Sequence, residues 1–268
     1  MQAFRISLVQ GATRWHDPVG NREYYGSLIV PLAHRSDLVV LPETFTSGFS
    51  NEAIHNAERM DGPAVVWMRE QARLLDAAVT GSVQLRVGEG TEQGGVFNRL
   101  LFATPDGEVR HYDKRHLFRY ADEHKRYAAG RDRLVVEWRG WKICPLVCYD
   151  LRFPVYSRNR HDGERGFDYD LVLFVANWPS ARAYAWRTLL RARAIENLAY
   201  CAGVNRTGVD GNDLPYSGDS AVLDYRGHAM ADLGAQEQTV TVALDPVALA
   251  AFRDKFPAWM DADAFDLL

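Results

Sequence analysis

The sequence predicts a mixed-sheet α/β protein, and three observations carry that expectation. Short apolar runs of strand length recur along the chain, segments with helical spacing lie between some of them, and two hairpins with Gly-containing turns lie between others. Strands alternating only with helices would give a purely parallel sheet, whereas hairpins require antiparallel pairs as well. In chain order, Phe4–Gln10 alternates, with Phe4, Ile6 and Leu8 on one side, and reads as a strand with one face more buried. Residues 37–41 form a near-continuous apolar run ending at Pro42, the pattern of a strand buried on both faces; Trp141–Val147 and residues 170–176 repeat it. Residues 62–75 carry Val65, Val66, Met68, Ala72 and Leu75 after Gly62-Pro63, a helix start with proline in the first turn. Residues 98–103 and 109–112, joined through Asp106-Gly107, read as a β-hairpin. Ala183–Asn197 reads as a helix with an apolar stripe of Trp186, Leu189, Leu190, Ala194 and Ile195. Residues 221–224 and 228–231 repeat the hairpin around Arg226-Gly227, and residues 245–256 close as a short helix. The apolar residues of the tail, Phe256, Trp259, Met260, Phe265, Leu267 and Leu268, predict docking on this subunit or another, because exposed apolar surface is costly.

At 268 residues the chain is long enough for one large layered domain or for nearly two ordinary ones. Scaling predicts that ~44,000 Å² of unfolded surface shrinks to ~12,000 Å² on folding, so no covalent staples are required. A composition 47% apolar and 25% charged excludes a disordered chain. No run of about 18 apolar residues exists to span a membrane, and the first ten residues are too polar for a signal peptide. The charge of −4, from 31 basic and 35 acidic residues without a basic block, argues against nucleic acid as a partner. Three cysteines are an odd count for a disulfide framework and predict a reduced, cytoplasmic setting. They leave room for one reactive thiol.

Several chemistries lose their usual signatures. The chain has no Gly-x-Gly-x-x-Gly after a strand, no P-loop, no Gly-x-Ser-x-Gly elbow and no His-Glu-x-x-His, and its eight histidines lack metal-ligand spacing. What remains lies just past three buried strands: Glu43 in Leu41-Pro42-Glu43-Thr44-Phe45, Cys148 in Val147-Cys148-Tyr149-Asp150-Leu151-Arg152, and Asn177-Trp178-Pro179. Ligands of open α/β sheets bind outside the carboxyl ends of strands. A basic stretch, Tyr112-Asp113-Lys114-Arg115-His116, follows the first hairpin. A thiol is only a few per cent ionised at neutral pH and needs a base, which Glu43 can supply. Lys114 offers charge for a developing oxyanion, and the Tyr149 backbone N–H offers a second donor. Each piece also has an ordinary role. A Glu after a strand can neighbour a helix cap, a lysine can be a solvated charge, and a lone cysteine can be a small hydrophobe, as expected for Cys144 and Cys201.

Taken together, Leu-Pro-Glu-Thr-Phe at 41–45, Tyr-Asp-Lys-Arg-His-Leu-Phe at 112–118 and Val-Cys-Tyr-Asp-Leu-Arg-Phe-Pro at 147–154 resemble the nitrilase, or carbon–nitrogen hydrolase, superfamily. Asn177-Trp178-Pro179, residues 192–197 and Tyr216-Ser217-Gly218-Asp219-Ser220 support the likeness, which spans about residues 4–243. The resemblance implies a nitrilase-like α-β-β-α four-layer sandwich, one domain over residues 1–268 with 244–268 as closing helix and docking tail, commonly assembled as a homodimer. It implies amide hydrolysis without metal or cofactor, with Glu43 as general base, Lys114 as oxyanion cation and Cys148 as nucleophile. Glu123, in Ala121-Asp122-Glu123-His124, matches the second glutamate common in the family. The segment after Tyr112 and the closing Lys-Phe-Pro-Ala-Trp at 255–259 resemble the bacterial ω-amidase branch, which hydrolyses 2-oxoglutaramate and 2-oxosuccinamate to the 2-oxo acid and ammonia. Alternatives are an amidase for deaminated glutathione or N-carbamoyl amines, a nitrile hydrolase, or a thiol redox sensor. A small monoamide with a remote carboxylate needs a cation or several N–H donors to bind it, and Arg119, Arg126 and Arg182 are the candidate cations. Trp178 is a candidate pocket wall, and Arg152 is expected to tie the loop after Cys148 to a neighbouring acid.

Overall fold

The computed structural model describes residues 2–52, 55, 57–88 and 95–266. Strand β1 (Phe4–Gln10) leads through helix α1 (Pro18–Ile29) to β2 (Leu38–Val40), and α2 (Pro63–Leu75) leads on to β3 (Ala78–Val87). The hairpin β4 (Gly95–Ala103) and β5 (Val109–Asp113) completes the first half. The second half runs through β6 (Val136–Trp138), β7 (Trp141–Val147), the short helix α3 (Pro154–Ser157), the ribbon β8 (His161–Asp162) and β9 (Gly166–Phe167), and β10 (Leu171–Ala176). Helix α4 (Ala183–Asn197) precedes β11 (Tyr200–Asn205), a second ribbon β12 (Thr207–Val209) and β13 (Pro215–Ser217), and the hairpin β14 (Ala221–Leu223) and β15 (Ala229–Asp232). Strand β16 (Gln238–Leu244) and helix α5 (Pro246–Lys255) end the regular structure.

Two six-stranded sheets result, in the orders β16-β1-β2-β3-β4-β5 and β15-β14-β11-β10-β7-β6. In each, three parallel strands are flanked by antiparallel ones: β1-β2-β3 in the first and β7-β10-β11 in the second. The uninterrupted apolar runs became the parallel strands because both of their faces are covered. Phe4, Ile6, Leu8, Leu38, Val40, Leu100 and Phe102 from the first sheet share one core with Ile143, Leu146, Leu173 and Phe174 from the second. The opposite face of the first sheet, including Val9, Val39 and Val79, is covered by Tyr25 and Ile29 of α1 and Val65, Met68 and Ala72 of α2. Trp186, Leu190 and Ala194 of α4 join the core of the second sheet. The layers are thus helix, sheet, sheet, helix, the nitrilase-like arrangement that the resemblance implies.

Some details differ from the sequence reading. Strand β1 is buried on both faces except at Arg5, because α1 covers the side that alternation marks as polar. Val66 and Ile195, assigned to helix stripes, are exposed. Helix α1 and strands β3, β11 and β16 are elements that apolar periodicity did not announce; α1 mixes Gly, Tyr and polar residues without a clear apolar stripe and is fixed by the Asp17 cap, whose carboxylate accepts from Gly20 N–H at 2.8 Å. The closing helix is capped by Asp245 and packs Leu249 into the core. In the tail only part docks: the Trp259 ring stacks on His161 at 3.7 Å, whereas Phe256 and Met260 are exposed. Leu267 and Leu268 lie outside the described residues. No helix among the described residues is long and apolar enough to cross a membrane.

Candidate active site

The carboxyl ends of β2, β7 and β10 open toward one cavity of about 400 Å³, lined among others by Glu43, Lys114, Cys148, Tyr149, Trp178 and Arg182. Glu43 is wholly buried three residues past β2. Its Oε1 accepts from Lys114 Nζ at 2.9 Å and from Asn98 Nδ2 at 2.8 Å; its Oε2 accepts from the Asn177 backbone N–H at 2.7 Å. The next residue, Thr44, has φ +41°, an unfavourable conformation for a β-branched side chain. Its N–H donates to Ser82 Oγ at 2.8 Å, and its hydroxyl accepts from Asn177 Nδ2 at 3.0 Å. Ser82 of β3 and Asn177, just past β10, therefore hold the strained turn that aims Glu43 into the cavity.

Lys114 follows β5, and its position is set on both sides of the backbone: its N–H donates to Asn98 O and its C=O accepts from Gly130 N–H, each at 3.0 Å. A Cβ on Gly130 would lie 2.1 Å from the Asp113 carbonyl, so only glycine permits that approach. Lys114 Nζ lies 3.0 Å from Glu123 Oε2 as well as 2.9 Å from Glu43 Oε1, with the side chain 1% exposed. Burial alone would lower the lysine pKa, but the charges of Glu123 and Glu43 overcome it and hold the pKa well above the usual value. The magnitudes agree. An ion pair at 4 Å and an effective dielectric of ~20 is worth about 4 kcal/mol, and two together offset a desolvation cost of several kcal/mol. Lys114 is an ammonium. Glu123 accepts the Phe118 N–H at 2.6 Å, and its own pKa is raised, first by burial and further by Glu43, against the lowering pull of Lys114. Two buried carboxylates share one cation.

Cys148 stands at the junction of β7 and a short 3-10 turn, at φ +46°. Asp150 fixes that junction, accepting from Val147 N–H at 3.0 Å and from Tyr112 Oη at 2.8 Å, with His116 Nδ1 at 2.7 Å. Burial pushes the Cys148 thiol well above its ordinary value; the Glu43 charge adds to the rise, and Lys114 opposes it. The thiol donates to Asn177 O at 3.9 Å and shares the cavity with the Glu43 carboxylate. Cys148 is therefore a protonated thiol beside a carboxylate. Cys144 and Cys201 are fully buried in the shared core, and burial raises the Cys144 thiol to about 12.

Trp178 lines the cavity and is held by its backbone N–H on Asn205 Oδ1 at 2.8 Å and its indole N–H on Arg182 O at 2.9 Å. Among the three candidate arginines, Arg182 lines the cavity, with its guanidinium 5.3 Å from the Phe118 ring centre. Arg119 and Arg126 are exposed and are not among the lining residues. Arg152 departs from the expected tie to an acid: it lies over the Trp178 ring at 4.9 Å and lines the cavity. The reason is geometric, since buried Asp150 already anchors that loop through backbone donors. Among the described residues neither Arg152 nor Arg182 makes an ion pair with an acid. Asn98 and Ser82 went unnoticed in the sequence. The only local signal is a polar residue at an inward position of a strand whose other inward residues, Leu100 and Phe102, are apolar.

Residues 5–254 match the carbon–nitrogen hydrolase family model. The chain is 48% identical to omega-amidase YafV of Escherichia coli K12, over the whole of both chains. It is 32% identical to 2-oxoglutaramate amidase of Bacillus subtilis, covering 96% of each. A solved structure, XC1258 from Xanthomonas campestris, a CN-hydrolase superfamily protein with an arsenic adduct in its active site, superposes with a TM-score of 0.96 at 66% identity and full coverage of both chains. The chain belongs to the carbon–nitrogen hydrolase family and is an amidase of the nitrilase superfamily.

Proposed function

We propose that this amidase removes the ω-amide nitrogen of small 2-oxo acid monoamides, 2-oxoglutaramate and 2-oxosuccinamate, through a thioester on Cys148. The observation that carries the reading is a thiol, a carboxylate and an ammonium meeting in a cavity whose other cations, Arg152 and Arg182, have no acidic partner among the described residues. The omega-amidase and 2-oxoglutaramate amidase relatives support the substrate class.

In the first step Glu43 takes the thiol proton as Sγ bonds to the amide carbon. Charge develops on the carbonyl oxygen, met by Lys114 and by the Tyr149 N–H, which opens the short helical turn and so lacks an intrahelical acceptor. One such donor contributes about 2.7–4 kcal/mol to the transition state. The C–N bond then breaks as Glu43 returns the proton to nitrogen, releasing ammonia and leaving the thioester. Water attacks that thioester, Glu43 takes its proton, and the C–S bond breaks to give the acid and the thiol. Glu123 holds Lys114 in place throughout. Arg182 and Arg152 take the remote carboxylate of the substrate, and Trp178 walls the site.

Two accessory readings accompany this one. A homodimer is supported by Tyr184 and Ile195, which α4 leaves exposed on the outer layer. Three unpaired cysteines fit a reducing cytoplasm.

The test measures ammonia release from 2-oxoglutaramate, 2-oxosuccinamate, deaminated glutathione and N-carbamoyl compounds, with intact-protein mass spectrometry after brief mixing. The expected result is fastest release from a 2-oxo acid monoamide and an acyl mass gain on Cys148. Preference for a carbamoyl compound would overturn the substrate class. Turnover by a folded Cys148→Ala variant would overturn the mechanism.

A further inference from the structure

We infer that Asn98 is a positioning residue that occupies one oxygen of Glu43 and so directs proton transfer to the other; the inference rests on Glu43 being the base. A carboxylate offers about four lone-pair sites. On Glu43, Oε1 already accepts two donors, Lys114 Nζ at 2.9 Å and Asn98 Nδ2 at 2.8 Å. Oε2 accepts one, the Asn177 N–H at 2.7 Å. The open acceptor site is therefore on Oε2, and the thiol proton goes there. Asn98 is itself buried, and its second amide hydrogen points to Glu123 Oε1 at 3.4 Å. One amide thus spans both carboxylates that share Lys114, while the Asn98 backbone carbonyl holds the Lys114 N–H.

The sense of the amide is not arbitrary, although oxygen and nitrogen look alike in shape. The Thr44 backbone N–H can only donate, and it donates to Ser82 Oγ at 2.8 Å. The Ser82 hydroxyl hydrogen is then free to donate onward, and it does so to Asn98 Oδ1 at 2.8 Å. With its oxygen committed to Ser82, Asn98 must turn its NH₂ to Glu43. A chain of donors that starts at a strained backbone position after the base thus returns to the base itself.

Losing an N–H donor favours the protonated carboxyl. The charged and titratable groups that face Glu43 are Lys114, Glu123 and Cys148, with Tyr127 and Tyr216 farther out. The experiment is the pH dependence of kcat/KM for Asn98→Ala and Ser82→Ala, using the fastest amide substrate. Asn98→Ala is expected to lower kcat about tenfold and to move the acid limb of the profile up by roughly one pH unit. Ser82→Ala, which frees the amide to turn, should move the limb the same way by a smaller amount. A purely structural role would lower the melting temperature and leave the limb unmoved, and that result overturns the inference. If Asn98→Ala does not fold, Ser82→Ala decides: a shifted limb supports the inference, an unshifted one overturns it. Glu43→Gln separates the two levels. An active Glu43→Gln removes the base assignment itself, whereas an inactive one beside unshifted Asn98 and Ser82 variants removes only the role of Asn98.

Discussion

The second sheet holds a buried ion pair near one end, and the cavity at the other end holds a second, and the two are built differently. At the amino end of β10, Arg253 of α5 donates to Asp170 at 2.8 Å, to Leu198 O at 2.8 Å and to Tyr169 O at 2.9 Å, and its guanidinium lies 3.9 Å from the Phe167 ring centre. One cation meets one acid, and two backbone carbonyls accept from it as well. The carbonyl of Leu198 belongs to a helix end at φ +47°, a strained conformation that the arginine holds. Past the carboxyl ends of the strands, Lys114 meets two acids, Glu43 and Glu123, with the Cys148 thiol beside them. The first cluster is closed and neutral. The second carries an excess of negative charge that a proton can relieve, which suits a site where a proton must arrive and leave.

Replacing the cation at each end tests that difference most directly. Lys114→Met should cost about 10²–10³ in kcat through loss of oxyanion stabilisation, measured by steady-state ammonia release. The loss should exceed any change in KM. Arg253→Met should leave kcat of the folded enzyme within about twofold of wild type, yet lower stability by about 3–5 kcal/mol in urea unfolding, because Asp170 stays buried without its partner. A large kcat loss in Arg253→Met would erase the distinction between the two clusters.

A smaller effect sharpens what the open end binds. Arg182→Ala and Arg152→Ala should each raise KM for a carboxylate-bearing amide by about tenfold, the loss of one charge-assisted hydrogen bond, with little change for an uncharged amide of the same length. Equal KM changes on both substrates would turn these arginines from charge readers into mere walls.

The pH dependence of stability is the most diffuse test. Cys148, Cys144 and Cys201 have folded pKa values raised above the ordinary 9.0, and Tyr112 and Tyr169 above 10.0, in each case first through burial. The folded state therefore holds more protons than the unfolded chain once pH exceeds 9. By linkage, stability falls as pH rises from there. Melting followed by circular dichroism should drop steadily between pH 9 and 11, and Cys148→Ala should shallow the first part of the slope.

The candidate site was legible in part because its proposed reacting groups sit in contiguous strings of residue types that few other chemistries need. Glu43, Lys114 and Cys148 were each named from such strings, and the cavity brings all three together. Their supports were harder to see. Asn98 shares its face of β4 with core residues, whereas Ser82 stands between buried Thr80 and Gln84 on β3, and a buried polar residue in a strand has no address until its neighbour across the sheet is known. Arg152 was misread for a related reason. Its motif shows an acid nearby, Asp150, but not that backbone N–H groups had already claimed it. Arg119 and Arg126 carried the right charge and faced outward.

By itself the sequence determined the mixed α/β class and the buried parallel strands, because apolar period is a local property of the chain, and it named Glu43, Lys114 and Cys148 as candidate reacting groups through strings that resemble those of a known family. Only the tertiary structure decided which cations line the cavity, which oxygen of Glu43 is open, and that two carboxylates share one lysine. Those facts depend on side chains from β3, β4 and the loops after β2, β5, β7 and β10 meeting within hydrogen-bond distance, and no single segment records where its partners fall.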